Sequence, residues 1–259
     1  MNILFIGDIF GGPGRQVIKN HLPDLKEEFQ IDVCIANGEN VAHGKGITKK
    51  TASELFDCGI DVFTSGNHLW DRKESIDYLK IEERIVKPLN YPDGAIGFKS
   101  YIKKVNKKKI AVVTLIGQAF MWSANSPFTA LDEFLPELKK ETDIILVDIH
   151  AEATAEKRAL GYYFDGRVSA VVGTHTHIQT ADEEILPSGT AYITDVGMTG
   201  PHNSVIGMDK NVVLKRLVTC MPQKFIVASE GLQINAVFIK LNDVNGKALE
   251  IQRIRRKNL

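Results

Sequence analysis

Short apolar runs, each closed by a polar cluster, recur along this chain. Residues 2–6 (NILFI) run into Gly7-Asp8, residues 32–36 (DVCIA) into Asn37-Gly38-Glu39-Asn40, and residues 60–64 (IDVFT) into Ser65-Gly66-Asn67-His68. Residues 143–149 (DIILVDI) run into His150, and residues 168–172 (VSAVV) into Gly173-Thr174-His175-Thr176-His177. Runs this short and this rich in Val and Ile predict buried strands of a parallel or mixed sheet. Helical spacing lies between them. Residues 15–29 place Val17, Ile18, Leu22, Leu25 and Phe29 on one face, with a kink or break expected at Pro23. Thr48 reads as the N-cap of a helix through Phe56 stopped by Gly59, and residues 72–80, 127–140, 154–163 and 209–219 read as further helices. Residues 98–105 and 109–116 flank Asn106-Lys107-Lys108, and residues 233–241 and 248–255 flank Asn245-Gly246, which predicts two hairpins. The pattern is β-α-β at the front and strand-rich at the back, an α/β class. Residues 1–259 read as a single domain, with the Pro- and Gly-bearing stretch 80–100 as an insertion or small lid.

Charge and composition narrow the partners. The 259 residues carry 32 Lys plus Arg against 32 Asp plus Glu, so a general positive field that would hold extended nucleic acid is absent. Cys34, Cys58 and Cys220 stand far apart with no CxxC pair, which argues against a disulfide framework and a thiolate zinc site. No apolar run has the length of a bilayer span, and the opening MNILFIGDIFGG lacks a basic leader segment. A cytoplasmic protein without membrane contact is expected.

The strand endings carry the chemistry. In open α/β sheets, ligands bind beyond the carboxyl ends of the strands. Here those ends offer Asp8, Glu39-Asn40, Asn67-His68, His150 and His175-x-His177. A mixed oxygen and imidazole set without thiolate suits iron or manganese, with zinc or magnesium as alternatives. The candidates are too many for one tetrahedral ion and suit a pair of ions sharing a carboxylate, for which Glu39 is the natural bridge. On an extended strand His175 and His177 would face one side. Gly66 and Gly173 are expected to allow tight turns.

These clusters resemble the calcineurin-like metallophosphoesterases, which place GD-x-H, GD, GNH-E/D, a lone H and GH-x-H at successive strand ends. The variants FIGDIFG, NGEN, SGNHLWD, VDIHAEATAEK and GTHTHIQTAD, and the later DVGMTGP, are similar to the YmdB-type branch. Phe10 stands where the wider superfamily has a His, and Glu39 where it has a bridging Asp, with Asn40 beside it to supply the missing ligand. The resemblance implies a four-layer α/β/β/α sandwich of two mixed sheets. It implies one ion held by Asp8, Glu39, Asn40 and His177, and a second by Glu39, Asn67, His150 and His175. The implied activity is hydrolysis of cyclic nucleotides, 2′,3′- or 3′,5′-, by a metal-bridging hydroxide with His68 as general acid. Alternatives on the same site are a phosphomonoesterase or nucleotidase, or a regulatory protein in RNA turnover with weak phosphodiesterase activity. A homo-oligomer and an RNA-turnover protein partner are both compatible with it.

Other residues stay open at this level. Asp71 could hold the His68 ring, His43 could line the substrate entrance, and Thr176 and the Gly197–Gly200 turn could present groups to the phosphate. Gly11-Gly12-Pro13-Gly14 lacks both the P-loop and the dinucleotide spacing and reads as a plain turn. Phe120-Met121-Trp122 is either an exposed stacking patch for a base or core packing.

Overall fold

A period of two hidden inside the apolar runs decides how the layers stack. A computed structural model describes residues 1–257 and 259. The elements are β1 (Asn2–Ile6), β2 (Asp8–Ile9), α1 (Gly11–Glu28), β3 (Val33–Asn37), α2 (Lys49–Asp57), β4 (Val62–Thr64), α3 (Ile76–Leu79), β5 (Tyr101–Val105) and β6 (Lys108–Ile116). They continue with α4 (Pro127–Glu141), β7 (Ile145–His150), α5 (Thr154–Tyr163), β8 (Ala170–Thr174), β9 (Glu184–Ile185), β10 (Ala191–Ile193), β11 (Met198–Pro201), α6 (Lys210–Thr219), β12 (Leu232–Leu241) and β13 (Ala248–Lys257).

One sheet has the order β2-β11-β12-β1-β3-β4, with β13 along the other edge of β12. In it β1, β3 and β4 are parallel, while β12 is antiparallel to β1 and β13. The other sheet runs β5-β6-β7-β8-β10-β9, parallel from β6 to β10 and antiparallel at both edges. Alternate residues split between faces. Ile3, Phe5, Val33 and Ile35 of the first sheet meet Val112, Leu146, Val172 and Ile193 of the second in one buried layer. Leu4, Ile6, Cys34 and Phe63 point the other way, onto Val17, Ile18 and Leu22 of α1 and Leu55 of α2. On the far side Val113, Val147, Ile149 and Val171 pack on Leu131 and Leu135 of α4 and Leu160 of α5. The outcome is the four-layer α/β/β/α sandwich of two mixed sheets.

Local expectations hold where a cap or turn defines them. Thr48 Oγ1 accepts from Thr51 N at 3.2 Å and Thr51 Oγ1 from Thr48 N at 3.0 Å, a reciprocal cap that opens α2. Asp209 Oδ1 accepts from the N–H groups of Asn211 and Val212 and opens α6. Three expectations change. Pro23 does not break α1: it lies on the exposed face beside exposed Lys19, whose freed carbonyl solvent can take. Gly11–Gly14 is no separate turn but the first turn of α1. Residues 72–80 form only a short 3-10 turn (Lys73–Ser75) followed by the single turn of α3. In the stretch 80–100, Ile85, Val86 and Lys87–Asn90 are buried, and isolated bridges tie Ile85 to Phe63 and Pro88 to Thr114, one residue in each sheet. Among the described residues no helix is long and apolar enough to cross a membrane.

Candidate metal centre

The carboxyl ends of β1, β3 and β4 from one sheet, and of β7 and β8 from the other, meet at one rim, and their donor atoms fall into two groups. Around His150 Nε2 stand Glu39 Oε1 at 3.1 Å, His175 Nδ1 at 3.1 Å and Asn67 Oδ1 at 3.2 Å. Around Asn40 Nδ2 stand Asp8 Oδ1 at 3.4 Å, His177 Nε2 at 3.3 Å and Glu39 Oε1 at 3.3 Å. Glu39 Oε1 touches both groups. Asp8, Glu39, Asn40, His150 and His177 are buried, and Glu39, His150 and His175 present ligand atoms all within 4.8 Å of one another.

This donor set fits a cation. His150 Nε2 can carry one proton, yet it faces the Glu39 carboxylate, the Asn67 amide oxygen and a second ring nitrogen; a proton serves one of them, whereas a positive ion at the centre serves all. The outer ring atoms are held in the sense that ligation needs. His150 Nδ1 lies 2.9 Å from Thr174 Oγ1, which in turn donates to Asp148 Oδ1 at 2.8 Å. His177 Nδ1 lies 3.0 Å from the Ile206 carbonyl. Each contact fixes a tautomer and leaves Nε2 directed at the carboxylates. For Asn40 to ligate, its amide must turn to present Oδ1, and such amide assignments follow from the hydrogen-bond network around them.

Charge is distributed accordingly. Burial pulls the His150 pKa down, but the Glu39 carboxylate more than offsets this and His150 stands raised to about 9. Burial pushes Glu39 up, while His150 and His68 pull it down further, to about 2. Burial raises Asp8, and it leaves Asp148 raised to about 7 against the pull of the His150 charge and of the hydroxyls that Thr64 and Thr174 donate to it. Burial and the neighbouring His150 charge hold His175 down at about 3. A thermal prediction follows for the metal-stripped protein. The His150 contribution is complete below its unfolded value near 6.5 and is lost as pH rises through about 9, since a raised pKa favours the folded state only while the proton stays. Glu39 gives the converse, lost only as pH falls from about 4.5 through about 2. Between pH 7 and 9 the midpoint of the stripped protein should therefore fall, and that of the metal-loaded protein should not. Calorimetry with and without chelator measures this, and parallel curves would remove His150 as the responsible group.

The residues singled out from sequence divide clearly. Asp8, Glu39, Asn40, Asn67, His150, His175 and His177 come together. His68 joins them: its N–H donates to Glu39 Oε2 at 3.0 Å, and its Nδ1 lies 2.8 Å from Asp71 Oδ2. A cavity of about 400 Å³ is lined by Glu39, Asn40, His68, His175, Thr176 and His177 among others. His43 is exposed, and Gly44 and Lys45 line this cavity in its place. The Gly197–Gly200 segment is not at the cavity: Met198 pairs with Asp8 as part of β11, so it braces the strand that delivers Asp8.

Two geometric expectations are corrected. His175 and His177 do not alternate along a strand, because β8 ends at Thr174 and both residues are left-handed, at φ 100° and 66°. A buried ion pair holds that turn: Lys157 Nζ donates to Asp195 Oδ2 and to the Thr174 carbonyl, both at 2.7 Å, while Thr176 N and Oγ1 donate to the same carboxylate at 3.1 and 2.8 Å. Gly66 and Gly173 have ordinary backbone angles; their value is space. A Cβ at Gly66 would overlap the His150 ring and the Glu39 carboxylate, and one at Gly173 the Thr194 carbonyl. Asn37, Thr64, Asp148, Thr174, Lys157 and Asp195 were all missed from sequence. The signal that could have found them is a polar residue on a buried face: Asp148 inside IILVDIH, and Lys157 with Leu160 and Gly161 on the inner face of α5.

Residues 4–254 match the family model described as YmdB-like protein. The chain belongs to the YmdB-like protein family. A Bacillus subtilis relative, 2′,3′-cyclic-nucleotide 2′-phosphodiesterase, is 48% identical over 98% of this chain and 96% of its own. The crystal structure of a Mycoplasma pneumoniae protein described as a novel phosphatase superposes with TM-score 0.94 at 37% identity, covering 99% of this chain and 93% of that one. The NAD nucleotidase of Haemophilus influenzae shares the fold at TM-score 0.59 and 14% identity, over 99% of this chain and 56% of its own. The fold is that of the calcineurin-like metallophosphoesterases. Phe10 is buried edge-on against His177, ring centroids 5.4 Å apart.

Proposed function

We propose that this chain is a dinuclear metal-dependent phosphodiesterase acting on nucleoside cyclic phosphates. The observation that carries the reading is the Glu39 carboxylate shared between two groups of donors. Asp8, Glu39, Asn40 and His177 would hold one ion, and Glu39, Asn67, His150 and His175 the other. The imidazole content favours iron or manganese over magnesium. Bound there, a pair of cations would lower the pKa of water toward neutrality and neutralise charge on the phosphoryl oxygens. His68 faces the same cavity, and Asp71 holds its Nδ1, so Nε2 is the atom that carries a proton to the leaving alkoxide. Asp195 and Lys157 are positioning residues that fix the turn carrying His175 and His177. The family match over residues 4–254 supports one catalytic domain; of the 80–100 stretch, Pro92–Gly94 is an exposed run available to act as a lid.

The substrate class comes from the Bacillus subtilis relative, and the Mycoplasma pneumoniae phosphatase makes phosphomonoesters the second reading. Elemental analysis of protein purified under iron-retaining conditions, coupled to a substrate panel, tests both. We expect two ions per chain and faster hydrolysis of 2′,3′-cyclic nucleotides than of 3′,5′-cyclic nucleotides or mononucleotides. Faster turnover of mononucleotides than of any cyclic substrate would transfer the assignment to a phosphomonoesterase.

A further inference from the structure

Beside the donor cluster, the loop between β6 and α4 presents two large aromatic side chains to solvent. Phe120 is 91% and Trp122 72% exposed, although the backbone that carries them is fastened at both ends. At one end Gln118 N donates to Glu156 Oε1 at 2.8 Å; at the other Asn125 N donates to the Asn90 carbonyl at 3.0 Å, and Asn90 Nδ2 to the Asn125 carbonyl at 2.8 Å. Phe120 itself is left-handed at φ 61°, a conformation that aromatic side chains rarely adopt. The fold therefore holds these rings outward on an anchored loop instead of burying them, against the strong tendency of aromatics to be covered.

Their position says what covers them. A cavity of about 340 Å³ is walled by Phe120, Met121, Trp122 and Ser123 on one side and by Asn67 and His175 on the other. His175 also lines the larger cavity that contains His68 and Glu39, so the two spaces share a wall. A molecule whose phosphate sits at the donor cluster therefore extends into a space that the aromatic loop walls opposite Asn67 and His175. The loop-side wall carries no charged group, which suits a flat, uncharged ring and not a second phosphate.

The geometry points to a nucleobase platform: Trp122 and Phe120 stack the base of a nucleoside cyclic phosphate whose phosphate lies between the metal-ligand candidates and His68. The inference rests on the phosphodiesterase reading and adds the recognition element to it. Stacking accepts any base, because every base has a π-face, and favours purines through their larger area. The platform thus gives general selection for nucleotides over other cyclic phosphates rather than for one base.

The test compares adenosine 2′,3′-cyclic phosphate with the base-free 2′,3′-cyclic phosphate of 1-O-methylribose, by the ratio of kcat/KM values. Trp122→Ala should lower that ratio about tenfold, Phe120→Ala less, and Trp122→Phe should restore most of it. Protein fluorescence should be quenched by adenosine 3′-phosphate and not by ribose 3-phosphate, a readout independent of turnover. A ratio that stays at its starting value in both alanine variants overturns the platform, as does an equal fall on both substrates, which would mark a structural role. An unsubstituted protein that hydrolyses both substrates without preference overturns the platform alone. One that hydrolyses neither overturns the phosphodiesterase reading, and the platform with it.

Discussion

Replacing Glu39 by Gln is expected to empty the site and stop turnover. The carboxylate is buried, its Oε1 stands 3.1 Å from His150 Nε2 and 3.3 Å from Asn40 Nδ2, and its Oε2 accepts from His68 N at 3.0 Å. Gln has the same shape and can keep the contact to His68 N. It removes the negative charge that would let one side chain serve two cations, and it turns half of the donor surface into an N–H₂ group that would repel them. Bound metal should fall from two ions per chain to one or none, and kcat should fall on the order of 10³-fold or more. The loss of the carboxylate also removes the main influence raising His150, so the stripped variant should lose the decline in thermal midpoint between pH 7 and 9. Metal content by plasma emission and a melting series at several pH values measure both effects. A variant that keeps both ions would show that Glu39 is no bridge.

Replacing His68 by Ala should leave the metal in place and slow the reaction. Its side chain lies on the cavity wall with Nδ1 committed to Asp71 at 2.8 Å, and only its backbone N–H touches a ligand candidate, so truncation leaves the donors undisturbed. A ribose alkoxide leaves poorly without a proton, which sets the expected fall in kcat at roughly 10²- to 10⁴-fold. A nitrophenolate leaves well unaided, so the same variant should lose far less on a nitrophenyl phosphodiester. Asp71→Asn should give a smaller loss of the same kind, since it disturbs the tautomer of His68 and leaves the imidazole present. The comparison of the two leaving groups decides the matter: equal losses on both would exclude proton transfer by His68, and loss of metal would make His68 a ligand.

Much of this site was legible because strands announce their own ends. NILFI and IDVFT stop where β1 and β4 stop, and DVCIA and VSAVV stop one and two residues short of the ends of β3 and β8, so the polar residues that follow lie at the rim. The helix over 154–163 was likewise visible, and the structure gives Thr154–Tyr163. What the pattern could not carry was conformation after the strand. Alternation along an extended chain explains why His175 and His177 share a site only if the strand continues, and it does not; a left-handed turn does the work, held by Lys157 and Asp195 from distant elements. A tight turn is the expectation for Gly66, whereas closeness to the His150 ring is what requires it. Pro23 misled because its usual cost applies where the freed carbonyl is buried, and here that face meets water. Exposure of Phe120 and Trp122 had no sequence signal that separates it from core packing, since the same three apolar residues suit either.

The pairing of β1 with β12 has a consequence for how the protein is made. Asn2 lies opposite Lys240 and Ile6 opposite Ala236, and the Gly7 N–H that precedes Asp8 donates to the Asn235 carbonyl at 3.0 Å. β1 is thus paired with a strand that is made long after it, and contacts so remote along the chain form slowly. Until β12 emerges, β1 has an open edge, and β11, which braces Asp8, lacks the strand on its other side. The rim that carries Asp8 is therefore complete only once β12 has been made, although every donor residue precedes it in the chain.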